Sequence, residues 1–169
     1  MFTLLHLLAV FAVLTLFAFL FIHAWSARRG RGGVIASNIA EGTHERAVWR
    51  KTDAAVASRN LLGKVGTDAT HVALCGASEI PLGPITDEAA AAEELVNVEL
   101  LGVTGRTLLL VASEAITAGE HVYTAASGKV QDLPAGAGTY YEVGLALTPS
   151  TNDGDLIEVA TCVARKVTV

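Results

Sequence analysis

The stretch VASEAITAGEHVYTAASGKVQDL, Val111 to Leu133, gathers two carboxylates, Glu114 and Glu120, and an imidazole, His121, around glycine turns. A carboxylate and an imidazole held within hydrogen-bond reach of a substrate can serve as general base and acid. Successive side chains on a strand point to opposite faces, however, so Glu120 and His121 diverge unless a bulge intervenes. On that reading Gly119 makes the turn before a strand, and Ser127–Gly128 is a two-residue hairpin tip joining HVYTA to KVQDL. Ser58, Ser78, Ser113 and Ser127 stand in no GxSxG context, so acyl transfer has no nucleophile elbow to use. The sequence predicts no catalytic residue.

Metal and phosphate chemistry find no better footing. His6 and His23 fall in an apolar segment, and His44, His71 and His121 are isolated from any Cys or His at metal-ligand spacing. THER, Thr43 to Arg46, sets a histidine beside a glutamate without forming HExxH. GKVGTDATH, Gly63 to His71, has the composition of a phosphate loop but not GxxxxGK[ST]; it reads as a strand ending in a turn, where Thr67 and Asp68 can satisfy turn amides. No cofactor and no metal are expected. Cys75 and Cys162 form no CxxC pair, which leaves either two buried thiols or one long-range disulfide.

The segments that would have to position these residues are of three kinds. FTLLHLLAVFAVLTLFAFLFIHAW, Phe2 to Trp25, carries no Lys, Arg, Asp or Glu and is long enough to cross roughly 30 Å of hydrocarbon as a helix. Trp25 with Arg28, Arg29 and Arg31 would anchor it at the headgroups and, by the positive-inside rule, place the remainder in the cytoplasm. A cleaved signal peptide, or an extension upstream of a domain starting near Val34, are the other readings. The expected division is a hydrophobic helix over 1–27, a basic Gly/Arg linker over 28–36 and a β-rich domain over 37–169. All seventeen acidic residues lie beyond position 40 and only nine of the twelve basic ones follow Arg31, a net charge of −8 that repels phosphate backbones. No basic stripe with interleaved aromatics is present, so nucleic acid is not an expected partner.

After the linker, short runs rich in Val, Leu and Thr recur between Gly, Asp, Asn or Pro, the pattern of a sandwich or barrel with one core. Strands are expected at 46–51, 61–65, 71–75, 82–86, 95–101, 107–112, 121–124, 140–147 and 156–163. TDEAAAAEE, Thr86 to Glu94, reads as a loop or one helical turn. PLGPITDEAAAAEELVNVEL and EVGLALTPSTNDGDLIEVAT share one plan, with Gly83 to Val98 as far apart as Gly144 to Val159. With two copies this is a pair of matching hairpins and not a solenoid. Gly83, Gly119, Gly128, Gly144 and Gly154 are the expected structural turns.

From Ser37 to Cys162 the chain resembles the capsid decoration, or cement, proteins of tailed bacteriophages and prophages. ASEAITAGEHVYTAASGKVQ, GTYYEVGLALT and GDLIEV carry the resemblance most specifically, with PLGPITDEAAAAEE as the strand and acidic-alanine connection. It implies a mainly β fold, a compact β-clip or barrel-like domain of short strands behind the N-terminal helix. It also implies a non-enzymatic role at the virion capsid surface, similar to that of the lambda-type head decoration protein. The implied partners are copies of itself, often as trimers, and the major capsid protein. The hydrophobic leader departs from the family, whose members begin near the position of Ser37. It implies either a misplaced start or a prophage-derived module redeployed at a membrane through residues 2–25.

Overall fold

The computed structural model describes residues 46–169, Thr104 excepted. The expected N-terminal helix and linker, with Trp25, Arg28, Arg29 and Arg31, lie outside the described residues. Among the described residues no helix is long and apolar enough to cross a membrane.

Ten strands carry the fold: β1 (Ala47–Thr52), β2 (Leu61–Val65), β3 (His71–Leu74), β4 (Gly83–Ile85), β5 (Leu95–Glu99), β6 (Leu108–Val111), β7 (His121–Thr124), β8 (Val130–Gln131), β9 (Thr139–Ala146) and β10 (Leu156–Thr168). The first five close into a barrel in the order β1-β3-β2-β4-β5, and the last five form a sheet in the order β6-β10-β9-β7-β8. The two orders are the same cycle. β1 pairs with β3 in parallel at Thr52–Val72, and a parallel bridge at Ala112–Val130 joins β6 to β8 in the same place. Ile85 faces Val98 across β4 and β5, as Ala146 faces Val159 across β9 and β10. The antiparallel bridge Val56–Ala89 has its counterpart in Ile116–Ser150.

Connections repeat as well as strands. The Glu94 carboxylate accepts from the amides of Ala90 and Ala91, both at 3.1 Å, and the Asp155 carboxylate accepts from Thr151 and Asn152, both at 2.9 Å. Each carboxylate ties the loop that precedes its strand, β5 or β10. The matching hairpins read from the sequence are thus the visible part of a duplication of the whole five-stranded module.

Two modules make two apolar clusters where the chain length suggested one core. Val48, Leu61, Val72, Ile85, Val96 and Val98 fill the first barrel, and Leu110, Val122, Val130, Val143, Ile157 and Val159 the second. Each such buried side chain contributes roughly 1.5–3 kcal/mol. The modules also trade residues: Leu62, Cys75 and Leu101 pack into the second cluster, and Val111 into the first. Gly128 N donates to Cys75 O at 2.7 Å and Thr124 Oγ1 to Ala77 O, so the contact carries hydrogen bonds as well as apolar area.

Several local expectations change. Gly83 and Gly144 stand inside β4 and β9 and not in turns. A Cβ there would lie 1.7 Å from Glu99 O and 2.4 Å from Ala160 O, so glycine is required by backbone crossing and not by chain reversal. The Ser127–Gly128 tip is wider than two residues: a 3-10 turn over Ala126–Gly128 separates β7 from β8, with Ala125 N donating to Lys129 O at 2.8 Å. TDEAAAAEE is a loop, one of its two expected forms, held by Asp87, which accepts from Asn97 N at 2.8 Å, and by the bridge of Ala89 to Val56. β10 runs to Thr168, five residues past its expected end at Val163.

The seam that closes the first barrel carries an ionic cluster. His71 Nδ1 lies 2.8 Å from Asp68 Oδ1 and its Nε2 lies 3.0 Å from Glu93 Oε1, while Lys51 Nζ is 2.9 Å from Glu93 Oε2. Asp68 foremost, then Glu93, raises the His71 pKa above its ordinary value. At the matching place in the second module Lys129 Nζ meets Asp153 Oδ1 at 2.6 Å.

Two predictions follow from these contacts. Gly83→Ala and Gly144→Ala should each lose at least about 3 kcal/mol in urea denaturation, whereas Gly119→Ala, with nothing within 4 Å, should lose only about 1 kcal/mol; equal losses would refute the crossing argument. A raised folded pKa makes the His71 contribution complete below the unfolded value of about 6.5 and lost as pH rises through the folded value. The urea midpoint should therefore fall from about pH 6.5 upward, and His71→Asn should flatten that fall.

Candidate functional site

The three residues that could do acid–base chemistry do not converge. Glu120 is exposed just before β7, and its carbonyl accepts from Ala146 N at 2.8 Å. Glu114 lies apart, near Asp132; burial first, then the Asp132 charge, raises its carboxyl above the usual range. His121 instead meets a residue that the sequence reading passed over: its Nδ1 lies 2.8 Å from Oε1 of Glu142.

Glu142 is a buried carboxylate with both oxygens engaged. Oε2 accepts from Arg165 Nε at 3.1 Å and also from Arg165 Nη2. Burial works against its ionisation, but the hydrogen bonds from Arg165 and His121 outweigh burial and hold the carboxyl below its ordinary range. An ionised carboxylate with one oxygen held by a guanidinium and the other in a hydrogen bond with an imidazole is poorly placed to take a proton. What it does is mechanical: it joins β7, β9 and β10 where their registers break. β9 shifts register against β7 between Val122–Gly144 and Tyr123–Glu142, leaving Val143 as the extra residue. β10 shifts against β9 between Thr161 and Arg165. Beyond this clasp Thr139–Glu142 and Arg165–Thr168 continue as a two-stranded ribbon. Alternation could not mark Glu142, because the bulge at Val143 resets which face each residue takes.

Among the described residues no group of three or more His, Cys, Asp or Glu could hold a metal ion. Both cysteines are free thiols. Cys75 donates to Gly76 O and Glu79 O, and burial pushes its pKa up to about 12, which makes it an inert packing residue. Gly119, Gly128 and Gly154 adopt positive φ at connections.

The surface is more informative than any cleft. β1 and β5 pair with Trp49 opposite Asn97 and Lys51 opposite Leu95; β6 and β10 pair with Leu109 opposite Glu158 and Val111 opposite Leu156. Trp49 and Leu109 therefore occupy one position of the repeated module, as do Leu95 and Leu156. All four are exposed, Trp49 by 60% and Leu156 by 53%. Large apolar side chains turned to solvent at the same places in both modules have the character of a contact surface. Alternation of Val96 and Val98 against Asn97 and Glu99, and of Ile157 and Val159 against Glu158, marks Asn97, Glu99 and Glu158 as outward, yet Glu99 is buried, and the recurrence of apolar neighbours is visible only with the strand registers.

No curated protein matches the chain. Among solved structures, the head fibre gp8.5 N base of bacteriophage phi29 is similar at 16% identity and a TM-score of 0.53, over 70% of this chain and 95% of that one, a likeness of fold. A family model described as phage cement protein matches residues 45–161, a span that takes in the strands of both modules down to the β10 bulge. With that match over most of its length, the chain belongs to the phage cement protein family.

Proposed function

We propose that this chain binds the outside of an assembled phage-type capsid shell and stabilises it without catalysis, through contacts to the major capsid protein and to further copies of itself. The observation that carries this reading is the cement-family match across both barrels, which ties the family to the repeated body as a whole. The physical route is linkage: a protein that binds the assembled shell and not its free subunits favours assembly by mass action. The outward positions shared by Trp49 and Leu109, and by Leu95 and Leu156, supply matching apolar contacts from two modules of one chain. On this reading residues 37–169 are the shell-binding body and 28–36 a linker.

A specific observation favours a second reading. The uncharged run Phe2 to Trp25 followed by Arg28, Arg29 and Arg31 supports a prophage-derived module anchored in a membrane with its body in the cytoplasm. Membrane fractionation, with the N-terminal peptide identified by mass spectrometry, separates the two: recovery of residues 2–25 in the membrane fraction favours the anchor.

For the shell reading, purified full-length chain should co-sediment with expanded shells of the phage or prophage that encodes it and raise their disruption temperature. Trp49→Glu and Leu109→Glu should each weaken shell binding about tenfold or more, and together abolish it. Failure of the unmodified chain to bind such shells would overturn the proposal.

A further inference from the structure

The two modules share one fold but touch through unlike faces. The second contributes Val111, Thr124 and Gly128; the first contributes Leu61, Leu62, Cys75 and Ala77. A Cβ at Gly128 would lie 2.7 Å from Leu62 O and 3.0 Å from Leu61 Cβ, so the second module seats directly on β2. A contact between unlike faces of two like modules is heterologous, and each module keeps one face unused.

We infer that copies of this chain associate head to tail by the contact that already joins the two modules, the first module of one copy seating on the second module of the next. The inference rests on the self-association part of the proposed function and adds the surfaces that perform it.

Strand registers locate the unused faces. Val130 in the second module takes the place of Val72, since each forms the parallel closing pair, with Ala112 and Thr52 respectively. Thr124 opposite Val130 then takes the place of Val65 opposite Val72, and Val111 takes that of Lys51. Val65 is 54% exposed and the Lys51 side chain 50%. In the other direction, Val122 opposite Gly144 takes the place of Gly63 opposite Gly83, which puts Glu120 and His121 where the first module has Leu61 and Leu62. Both are exposed. Leu133 follows β8 much as Cys75 follows β3, and it is 60% exposed where Cys75 is buried.

The substitutions between used and unused faces are complementary. Inside the chain Val111 and Leu61 belong to one apolar cluster. At the unused faces the same two positions hold Lys51, whose ammonium also lies 2.9 Å from Glu93 Oε2 in its own module, and Glu120, opposite charges that would meet in a head-to-tail contact. Val65 and Leu133 would add apolar area beside them. Such a contact is steered and held in register by charge, and it is weaker and more reversible than the apolar one within the chain. Whether repeated contacts close into a ring or extend into a fibre depends on the rotation between copies.

The test uses the full chain carrying Cys162→Ser and a short bis-maleimide cross-linker. Lys51→Cys alone and Glu120→Cys alone should give no linked dimer; their equimolar mixture should give a dimer, and the double variant linked oligomers. Self-linking by either single variant would show a like-to-like interface and overturn the inference, as would a mixture that stays unlinked. By sedimentation velocity, Glu120→Lys should weaken association at least about tenfold, and adding Lys51→Glu in the same chain should restore it; no restoration also overturns it. Shell binding measured in parallel separates this from the reading above. An unmodified chain that binds shells while remaining monomeric overturns the head-to-tail contact and leaves the capsid role standing. Head-to-tail linking without shell binding does the reverse.

Discussion

At Gly83, and again at Gly144, a strand passes so close to its hairpin neighbour that a side chain would fall on the carbonyl of Glu99 or Ala160. The rest of the fold depends on this approach. A five-stranded sheet of mostly short strands can curl shut only if some backbone bends sharply inward, and glycine within a strand permits that bend without a side chain to displace. The crossing brings β4 against β5 with Ile85 facing Val98, and β9 against β10 with Ala146 facing Val159. These residues lie at the centres of the two apolar clusters. Both crossings place the glycine at nearly the same φ, +154° and +156°, so the module repeats in backbone conformation as well as in order.

Given that shared frame, the modules differ in how their polar groups are paired. The closing seam is held in one by His71 between Asp68 and Glu93, and in the other by Lys129 with Asp153. Position matters there more than chemistry, since two different ion pairs serve one seam. The clasp of Glu142 with His121 and Arg165 belongs to the second module alone among the described residues, and so does the ribbon it supports. In the first module the polypeptide leaves β5 through Glu99, whose carboxylate pairs with Arg106 on the connection to β6. A buried carboxylate in each module thus stands where the strand leaves its barrel, and each is paired, as burial of a charge demands.

Much of this was legible in the sequence, and the gaps have physical causes. Strand existence followed from period and composition: Val96 and Val98, and Ile157 and Val159, alternate as half-buried strands should and are buried. The equal spacing of Gly83–Val98 and Gly144–Val159 exposed the duplication at its best-preserved hairpin. The rest stayed hidden because the modules have drifted by length changes of one to three residues between strands; β6, β7 and β8 each sit at a slightly different offset from their counterparts. Glycine inside a strand and glycine in a turn look alike in sequence, so Gly83 and Gly144 could not be assigned without a neighbour to clash with. The Glu142 partner of His121 stayed hidden for a related reason: it comes from β9, and proximity across a sheet is set by register and a bulge that no local pattern encodes.

On the proposed reading, the duplication also bears on why a shell-binding protein would be built this way. A chain with two like modules carries two copies of each outward position, and a surface made of repeated subunits offers such copies in return. Once one module is held, the second binds at the high effective concentration set by its rigid neighbour, so modest individual contacts sum to strong attachment. Rigidity is what makes the second contact inexpensive, and here it comes from Val111 in one cluster, Leu62 and Cys75 in the other, and the Gly128–Cys75 backbone hydrogen bond between them. On the proposed reading, then, the residues that decide attachment divide into two sets with different tasks. Exposed Trp49, Leu95, Leu109 and Leu156 supply affinity, and the buried contact between modules fixes their spacing, so loosening that contact would weaken binding without touching the shell-facing side chains.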